Sequence, residues 1–116
     1  MDIRIIKKPI ALRELVEITR AQFGDLVKAV VDIDMEIMAV GGELHADEEA
    51  VLVQHGSKQN NLWGINLYPE EPREEWVEFD SFINIRPSQN NRSRDVENPK
   101  TRERIIGIVD KLVIYE

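Results

Sequence analysis

Residues 26–40 read LVKAVVDIDMEIMAV and contain two apolar runs separated by a short acidic turn. Every second residue of the first run is apolar. These residues are Val27, Ala29, Val31 and Ile33. Because the side chains of a strand point alternately to its two faces, they share one face and Lys28 lies on the other. The pattern predicts a β-hairpin that ends at Gly41-Gly42.

The sequence before the hairpin predicts a short strand and an amphipathic helix. Ile3–Ile6 is rich in isoleucine, which favours a strand. After Pro9, apolar residues recur every three or four positions, which is the spacing of one helical face. The residues of this face are Leu12, Leu15, Val16, Thr19 and Phe23. Gly24 is placed to end the helix.

After the hairpin, the sequence predicts a short helix, two strands and a closing helix. Asp47 can cap the short helix, and a buried strand over Ala50–Val53 is the alternative interpretation of the same residues. Leu62–Tyr68 has the composition of a strand. Trp76–Arg86 alternates between apolar and polar residues over a long stretch and gives the strongest strand prediction in the chain. Asn98 then caps the closing helix, with a proline at its first position.

These elements follow the order β-α-β-β-(α)-β-β-α. The connections between neighbouring strands are too short for parallel crossovers, so we expect a mainly antiparallel sheet of about five strands. Two long helices and one short helix on one face of this sheet give an α+β fold, a two-layer sandwich. The length of 116 residues fits a single globular domain over residues 1–116.

The composition excludes several classes of protein. Lys and Arg number 15 against 22 Asp and Glu, a net charge of −7, which argues against a broad nucleic-acid surface because such surfaces are basic. No apolar run reaches the roughly 20 residues that a membrane span needs, and the N-terminus lacks the features of a signal peptide. With no cysteine, a disulfide framework is excluded. We therefore expect a cytoplasmic protein without a membrane partner.

The segment GGELHADEE, residues 41–49, is the first candidate site. If the chain stays extended here, Glu43, His45 and Asp47 project from one face. Two carboxylates beside an imidazole suit a divalent metal ion, or a histidine base held by an acid. A structural explanation also fits, in which His45 bonds a backbone carbonyl and the acids occupy the first turn of a helix.

The segment INIRPSQNNRSR, residues 83–94, is the second candidate site, and we call it the arginine-rich loop. Between residues 86 and 104, six Lys and Arg stand against three Asp and Glu, a local charge of +3. Arginine binds phosphate or carboxylate through two parallel hydrogen bonds, and Ser and Asn add short donors. The predicted ligand-binding residues are Asn84, Arg86, Ser88, Asn90, Arg92 and Arg94. In the alternative interpretation, these arginines pair with residues 70–80, whose net charge is −5.

Several segments resemble a known family. GELHADEE, GSKQNNLWGINLYP, REEWVEFDSFINIRPSQNNRSR and the closing helix are similar to small bacterial and archaeal proteins grouped as a domain of unknown function. The resemblance spans nearly the whole chain and implies a stand-alone single-domain protein. It implies no activity, substrate or cofactor, so the roles of the candidate residues depend on their chemistry alone.

These observations give three hypotheses for function. The first is a small cytoplasmic protein that binds a small anionic, phosphate-bearing molecule through the arginine-rich loop. The second is a hydrolase of a phosphate ester, in which Glu43, His45 and Asp47 hold a divalent metal ion or act as acid and base. The third is a homodimer or larger homo-oligomer, in which Trp76–Arg86 pairs with its copy at a sheet edge. A short distance between the two candidate segments would favour a shared site over two separate surface loops.

Overall fold

A five-stranded sheet forms the centre of the protein, which a computed structural model describes over residues 2–115. The seven strands are β1 (Arg4–Ile6), β2 (Ile10–Ala11), β3 (Val27–Asp32), β4 (Ile37–Val40), β5 (Leu62–Leu67), β6 (Val77–Glu78) and β7 (Val113–Ile114). Five of them form the sheet in the order β1-β4-β3-β5-β6, with every neighbouring pair antiparallel. The remaining two, β2 and β7, form a short parallel pair.

The predicted hairpin is confirmed as the pair β3–β4 in the middle of the sheet. Asp32 holds its turn, because one carboxylate oxygen accepts the N–H groups of Asp34 at 2.9 Å and Met35 at 3.0 Å. The other carboxylate oxygen accepts the hydroxyl of Ser57 at 2.6 Å. The acidic turn of the sequence is therefore a hydrogen-bonded unit of the fold.

Three helices pack against the sheet. They are α1 (Leu12–Gln22), α2 (His45–Gln54) and α3 (Pro99–Leu112). The predicted cap of α3 is present, because Asn98 Oδ1 accepts the N–H of Lys100 at 2.9 Å. Helix α2 begins two residues before the predicted cap, and its N-cap residue Leu44 provides no side-chain hydrogen bond. Within residues 2–115, no helix combines the length and apolar character needed to cross a membrane.

The two faces of the sheet are covered differently. On one face, Leu15 of α1 and Ile105 of α3 belong to the main buried core, together with Ile65 of the sheet. On the other face, Leu52 of α2 packs in a smaller cluster with Val30. The α+β class and the antiparallel five-stranded sheet are confirmed, and the two long helices share one face as expected. The short helix lies on the opposite face.

The long strand predicted for Trp76–Arg86 is wrong over most of its length. Only Val77–Glu78 pairs with β5, and the chain then leaves the sheet. The hydroxyl of Ser81 accepts the N–H of Ile83 and starts a 3₁₀ turn, which ends the extended conformation. The alternating residues continue through an irregular segment, in which Phe82 is 72% exposed. The homodimer hypothesis thereby loses the long edge strand on which it was based.

Candidate functional site

The structure separates the three residues of the predicted acidic site. Because α2 begins at His45, the extended conformation on which the shared face of Glu43, His45 and Asp47 depended is not present. Glu43 and Asp47 are exposed, whereas His45 is 7% exposed. Across residues 2–115, no three His, Cys, Asp or Glu side chains form a group that could hold a metal ion. The hydrolase hypothesis therefore lacks its cluster of metal-binding or acid–base groups.

His45 is held in one orientation below the surface. Its Nε2 donates to the backbone carbonyl of Ile65 on β5 at 2.8 Å, which leaves Nδ1 as the nitrogen that can accept a proton. Burial lowers the pKa of His45, and the hydrogen bond to Ile65 opposes this shift. The nearby charges of Lys28 and Arg94 also lower the pKa. His45 is therefore neutral at neutral pH and lies close to two cations.

Sequence reasoning missed a buried carboxyl group one turn further along α2. Glu48 is fully buried, and burial raises its pKa to about 9. Its Oε2 accepts the N–H of Gly42 at 3.0 Å, whereas Oε1 has no partner among the described residues. Gly42 makes room for this side chain, since a Cβ there would lie 2.8 Å from Glu48 Cγ. The sequence offered no signal, because an acid in the first turn of a helix is ordinary.

Asn84 and Arg86, which we predicted on the polar face of a strand, instead cover the open edge of β5. The Asn84 carboxamide accepts the N–H of Gly64 at 2.8 Å and donates to its carbonyl at 2.9 Å. Arg86 donates to the carbonyls of Gln59 at 2.6 Å and Leu62 at 2.5 Å. Because β6 is only two residues long, these side chains satisfy edge groups that a longer strand would have paired. The Asn84 carboxamide and both terminal nitrogens of Arg86 are used within the fold, whereas Arg86 Nε has no partner among the described residues.

Ser88, Asn90 and Arg92 lie on the exposed part of the arginine-rich loop. Asn90 has a φ of +61°, a left-handed conformation that asparagine tolerates. The N–H groups of Arg92 and Ser93 both donate to Glu97 Oε2 at 2.8 Å. The loop is therefore held by a neighbouring carboxylate, and its exposed side chains project from an ordered backbone.

Arg94 and His45 lie at the same cavity, whose volume is about 380 Å³. We call it the His45 cavity. Its lining includes Lys28, Leu44, His45, Asn66, Asp80, Phe82 and Arg94. The start of α2 and the end of the arginine-rich loop therefore meet in space. Of the two predicted candidate sites, His45 and Arg94 are the members that the fold brings together here.

The His45 cavity carries more positive than negative charge. Lys28 and Arg94 contribute two cations, and Asp80 contributes a carboxylate that lies 2.6 Å from Arg94 Nε. Leu44, at the N-terminus of α2, also lines the cavity and provides no side-chain cap. The N–H groups of a first helical turn lack partners within the helix and carry partial positive charge. The arrangement favours a negatively charged group.

Asn66 provides an unused acceptor in the wall of the His45 cavity. It lies opposite Lys28 in the β3–β5 pair and is 6% exposed. Its Nδ2 donates to Glu78 at 2.8 Å, whereas Oδ1 has no partner among the described residues. A buried acceptor without a partner is unfavourable, so a ligand N–H or O–H would be well placed there. Sequence reasoning missed Asn66 and Lys28 as site residues, although the hairpin pattern had placed Lys28 on the polar face.

A comparison with protein-family models gives a match over most of the chain. The matched range, residues 4–112, contains the five-stranded sheet, all three helices and the residues of the His45 cavity. A search of curated proteins and a search of solved structures give no match. The chain belongs to the family described as "Protein of unknown function (DUF5674)".

Proposed function

We propose that this protein binds a small organic anion in the His45 cavity. The observation that carries the proposal is the meeting of Lys28, Arg94 and the uncapped start of α2 at one cavity. Each of these three features favours negative charge, and they come from three separate parts of the chain. A phosphate or carboxylate between Lys28 and Arg94 would be held by charge-assisted hydrogen bonds.

The ligand should also have an apolar part. Leu44 and Phe82 line the same cavity, and they are 59% and 72% exposed. Large exposed apolar side chains beside polar groups are typical of small-molecule sites, where the apolar surface holds the body of the ligand. An aryl or alkyl phosphate, or an aryl carboxylate, combines the two properties.

Long polyanions are poor candidates for this cavity. The whole chain carries a net charge of −7, which repels an extended negative molecule beyond the local positive region. The volume of about 380 Å³ lies within the range of small-molecule sites. These two properties together favour a small ligand that presents one anionic group.

Thermal unfolding with defined probes tests the proposal. Phenyl phosphate and benzoate should raise the melting temperature in a saturable manner, whereas uncharged benzyl alcohol should have little effect. A ligand at about 100 times its Kd stabilises the folded protein by roughly 2.7 kcal/mol. Arg94→Gln and Lys28→Gln should each reduce the shift, because each removes one cation from the cavity.

Arg92→Gln is the matched control for this experiment. Arg92 and Arg94 belong to the same loop and are both exposed, but of the two only Arg94 lines the His45 cavity. The control should therefore keep the wild-type shift. Equal shifts in all three variants, or no saturable shift with either anion, would contradict the proposal.

A further inference from the structure

A second cavity, of about 460 Å³, is rich in side-chain amides, and we call it the amide cavity. The side chains that matter for its chemistry are Asn60, Trp63, Gln89, Asn90, Glu97 and Asn98. Among the described residues, it shares no lining side chain with the His45 cavity. Its chemistry therefore has to be considered separately from the proposed anion site.

A repeated tripeptide forms part of this cavity. Gln-Asn-Asn occurs at residues 59–61 and again at residues 89–91. Asn60 of the first copy and all three residues of the second copy line the amide cavity, where Gln89 Nε2 donates to the carbonyl of Asn60 at 2.9 Å. This repetition is the signal in the sequence that points to the second cavity.

The amides of the cavity divide into structural groups and accessible groups. Asn91 is 3% exposed, and its Nδ2 donates to three backbone carbonyls while Oδ1 accepts the N–H of Glu97. Its hydrogen-bonding capacity is used within the loop. Asn60 and Asn90 are exposed, so their carboxamides are open to a ligand. Each open carboxamide offers both donors and an acceptor.

Trp63 adds a buried donor to the wall of the amide cavity. The side chain is 6% exposed, and its Nε1 has no hydrogen-bond partner among the described residues. By comparison, Nε1 of the other tryptophan, Trp76, donates to the carbonyl of Glu71 at 2.7 Å. Unpaired buried N–H groups are uncommon in folded proteins, because such a donor is unfavourable without an acceptor.

The charge of the amide cavity disfavours an anion. Among the described residues, Glu97 is the one charged side chain in its lining. The Ser93 hydroxyl and the N–H groups of Ser93 and Arg92 bond this carboxylate and hold the pKa of Glu97 below its ordinary value. The cavity therefore presents a negative charge and several neutral amides, in contrast to the cations of the His45 cavity.

We propose that the amide cavity binds an uncharged polyhydroxylated molecule of the size of a mono- or disaccharide. Hydroxyl groups both donate and accept, which matches carboxamides, and a hydroxyl oxygen would pair with Trp63 Nε1. Nucleobases fit less well, because they bind largely by stacking on accessible aromatic faces. The ring of Trp63 is buried, and the Arg86 guanidinium lies over it at 4.2 Å from the ring centroid.

Nuclear magnetic resonance of the two indole N–H groups provides the test. The chain has two tryptophans, assigned with a Trp76→Phe variant. Titration with glucose, mannose or maltose to tens of millimolar should move the Trp63 indole signal in a saturable manner. The Trp76 signal should stay fixed, since its N–H is already paired. Adenosine and uridine serve as the nucleobase probes.

Three variants identify the site of binding. Asn60→Ala should weaken sugar binding up to about tenfold, since it removes an exposed carboxamide from the cavity and a neutral hydrogen bond contributes about 1 kcal/mol. Gln59→Ala removes the amide of the neighbouring residue, which does not line the cavity, and should leave the affinity unchanged. Arg94→Gln should also have no effect, because Arg94 lies at the other cavity.

Three outcomes would overturn the proposal. They are the absence of a saturable Trp63 shift with any of the sugars, a shift with nucleosides alone, and equal affinity in the Asn60→Ala and Gln59→Ala proteins. None of these results would alter the test of the anion site, which uses different ligands and a different measurement.

Discussion

The two faces of the sheet differ in what they bury. The face under α1 and α3 holds the main apolar core, with Leu15, Ile65 and Leu112 fully buried. The face under α2 combines a small apolar cluster with His45 and Glu48, two titratable groups inside the protein. Buried polar groups are unfavourable unless they are paired. We infer that one face mainly stabilises the fold, whereas the other gives up part of that stability to form the proposed anion-binding cavity.

Substitutions of two neighbouring residues of β5 should show the largest difference in stability between the two faces. Ile65 and Asn66 are adjacent but point to opposite faces of the sheet. Ile65→Ala should lower the free energy of unfolding by about 2–5 kcal/mol, because it leaves a cavity in the main core. Asn66→Ala should lower it by roughly 1 kcal/mol or less, because the amide loses a bond to the exposed Glu78 carboxylate and a long one of 3.4 Å to the Asp80 carbonyl. Urea denaturation of both variants measures the two values.

A similar loss of stability in the two variants would contradict this division between the faces. The effect of the two substitutions on ligand binding should be the reverse of their effect on stability. Asn66→Ala should weaken the binding of 4-hydroxybenzoate, whose hydroxyl can donate to Oδ1 of Asn66, whereas Ile65→Ala should retain it for as long as the protein remains folded. The pair therefore separates an effect on the fold from an effect on the His45 cavity.

The second prediction concerns the buried carboxyl group of Glu48. Its pKa is about 9 in the folded protein and near the ordinary value of about 4.3 in the unfolded chain. Between these values, the folded state keeps a proton that the unfolded state releases, so stability falls as pH rises. The slope from this group is at most about 1.4 kcal/mol per pH unit.

Glu48→Gln removes this titration and keeps the size of the side chain. The variant should match the wild type near pH 4 and become more stable than it toward pH 8, by a few kcal/mol at most. Urea denaturation at several pH values gives the difference directly, and groups common to both proteins cancel. Parallel curves for the two proteins would show that Glu48 does not titrate in this way.

The smallest expected effects on stability come from substituting two glycines with alanine. A Cβ at Gly64, on β5, would lie 2.6 Å from Ser81 Cβ, so Gly64→Ala should destabilise by about 1–3 kcal/mol through overpacking. Gly107 lies within α3, and a Cβ there meets open space. Gly107→Ala should therefore stabilise by roughly 1 kcal/mol, because alanine favours the helix. Thermal unfolding measures both changes. If Gly64→Ala raises the melting temperature as Gly107→Ala does, the segment over Gly64 can move aside to admit the new Cβ.

Local patterns predicted most of the regular elements. The alternation in residues 26–40 predicted the hairpin, and the capping pattern at Asn98 predicted the start of α3. The same alternation failed at Trp76–Arg86, because Ser81 starts a turn and the segment packs closely over Gly64. An alternating pattern shows that a segment has two faces, but it does not show that a neighbouring strand is available.

The candidate site was predictable only in part. By itself, the sequence determined the chemical groups of the arginine-rich loop and the polar position of Lys28 on the hairpin, because these depend on composition and on the alternation of a strand. Only the tertiary structure decided that Arg86 covers a sheet edge while Arg94 reaches the cavity of His45. The physical reason is that unpaired backbone groups must be satisfied, and the contacts that do so come from residues distant in the chain.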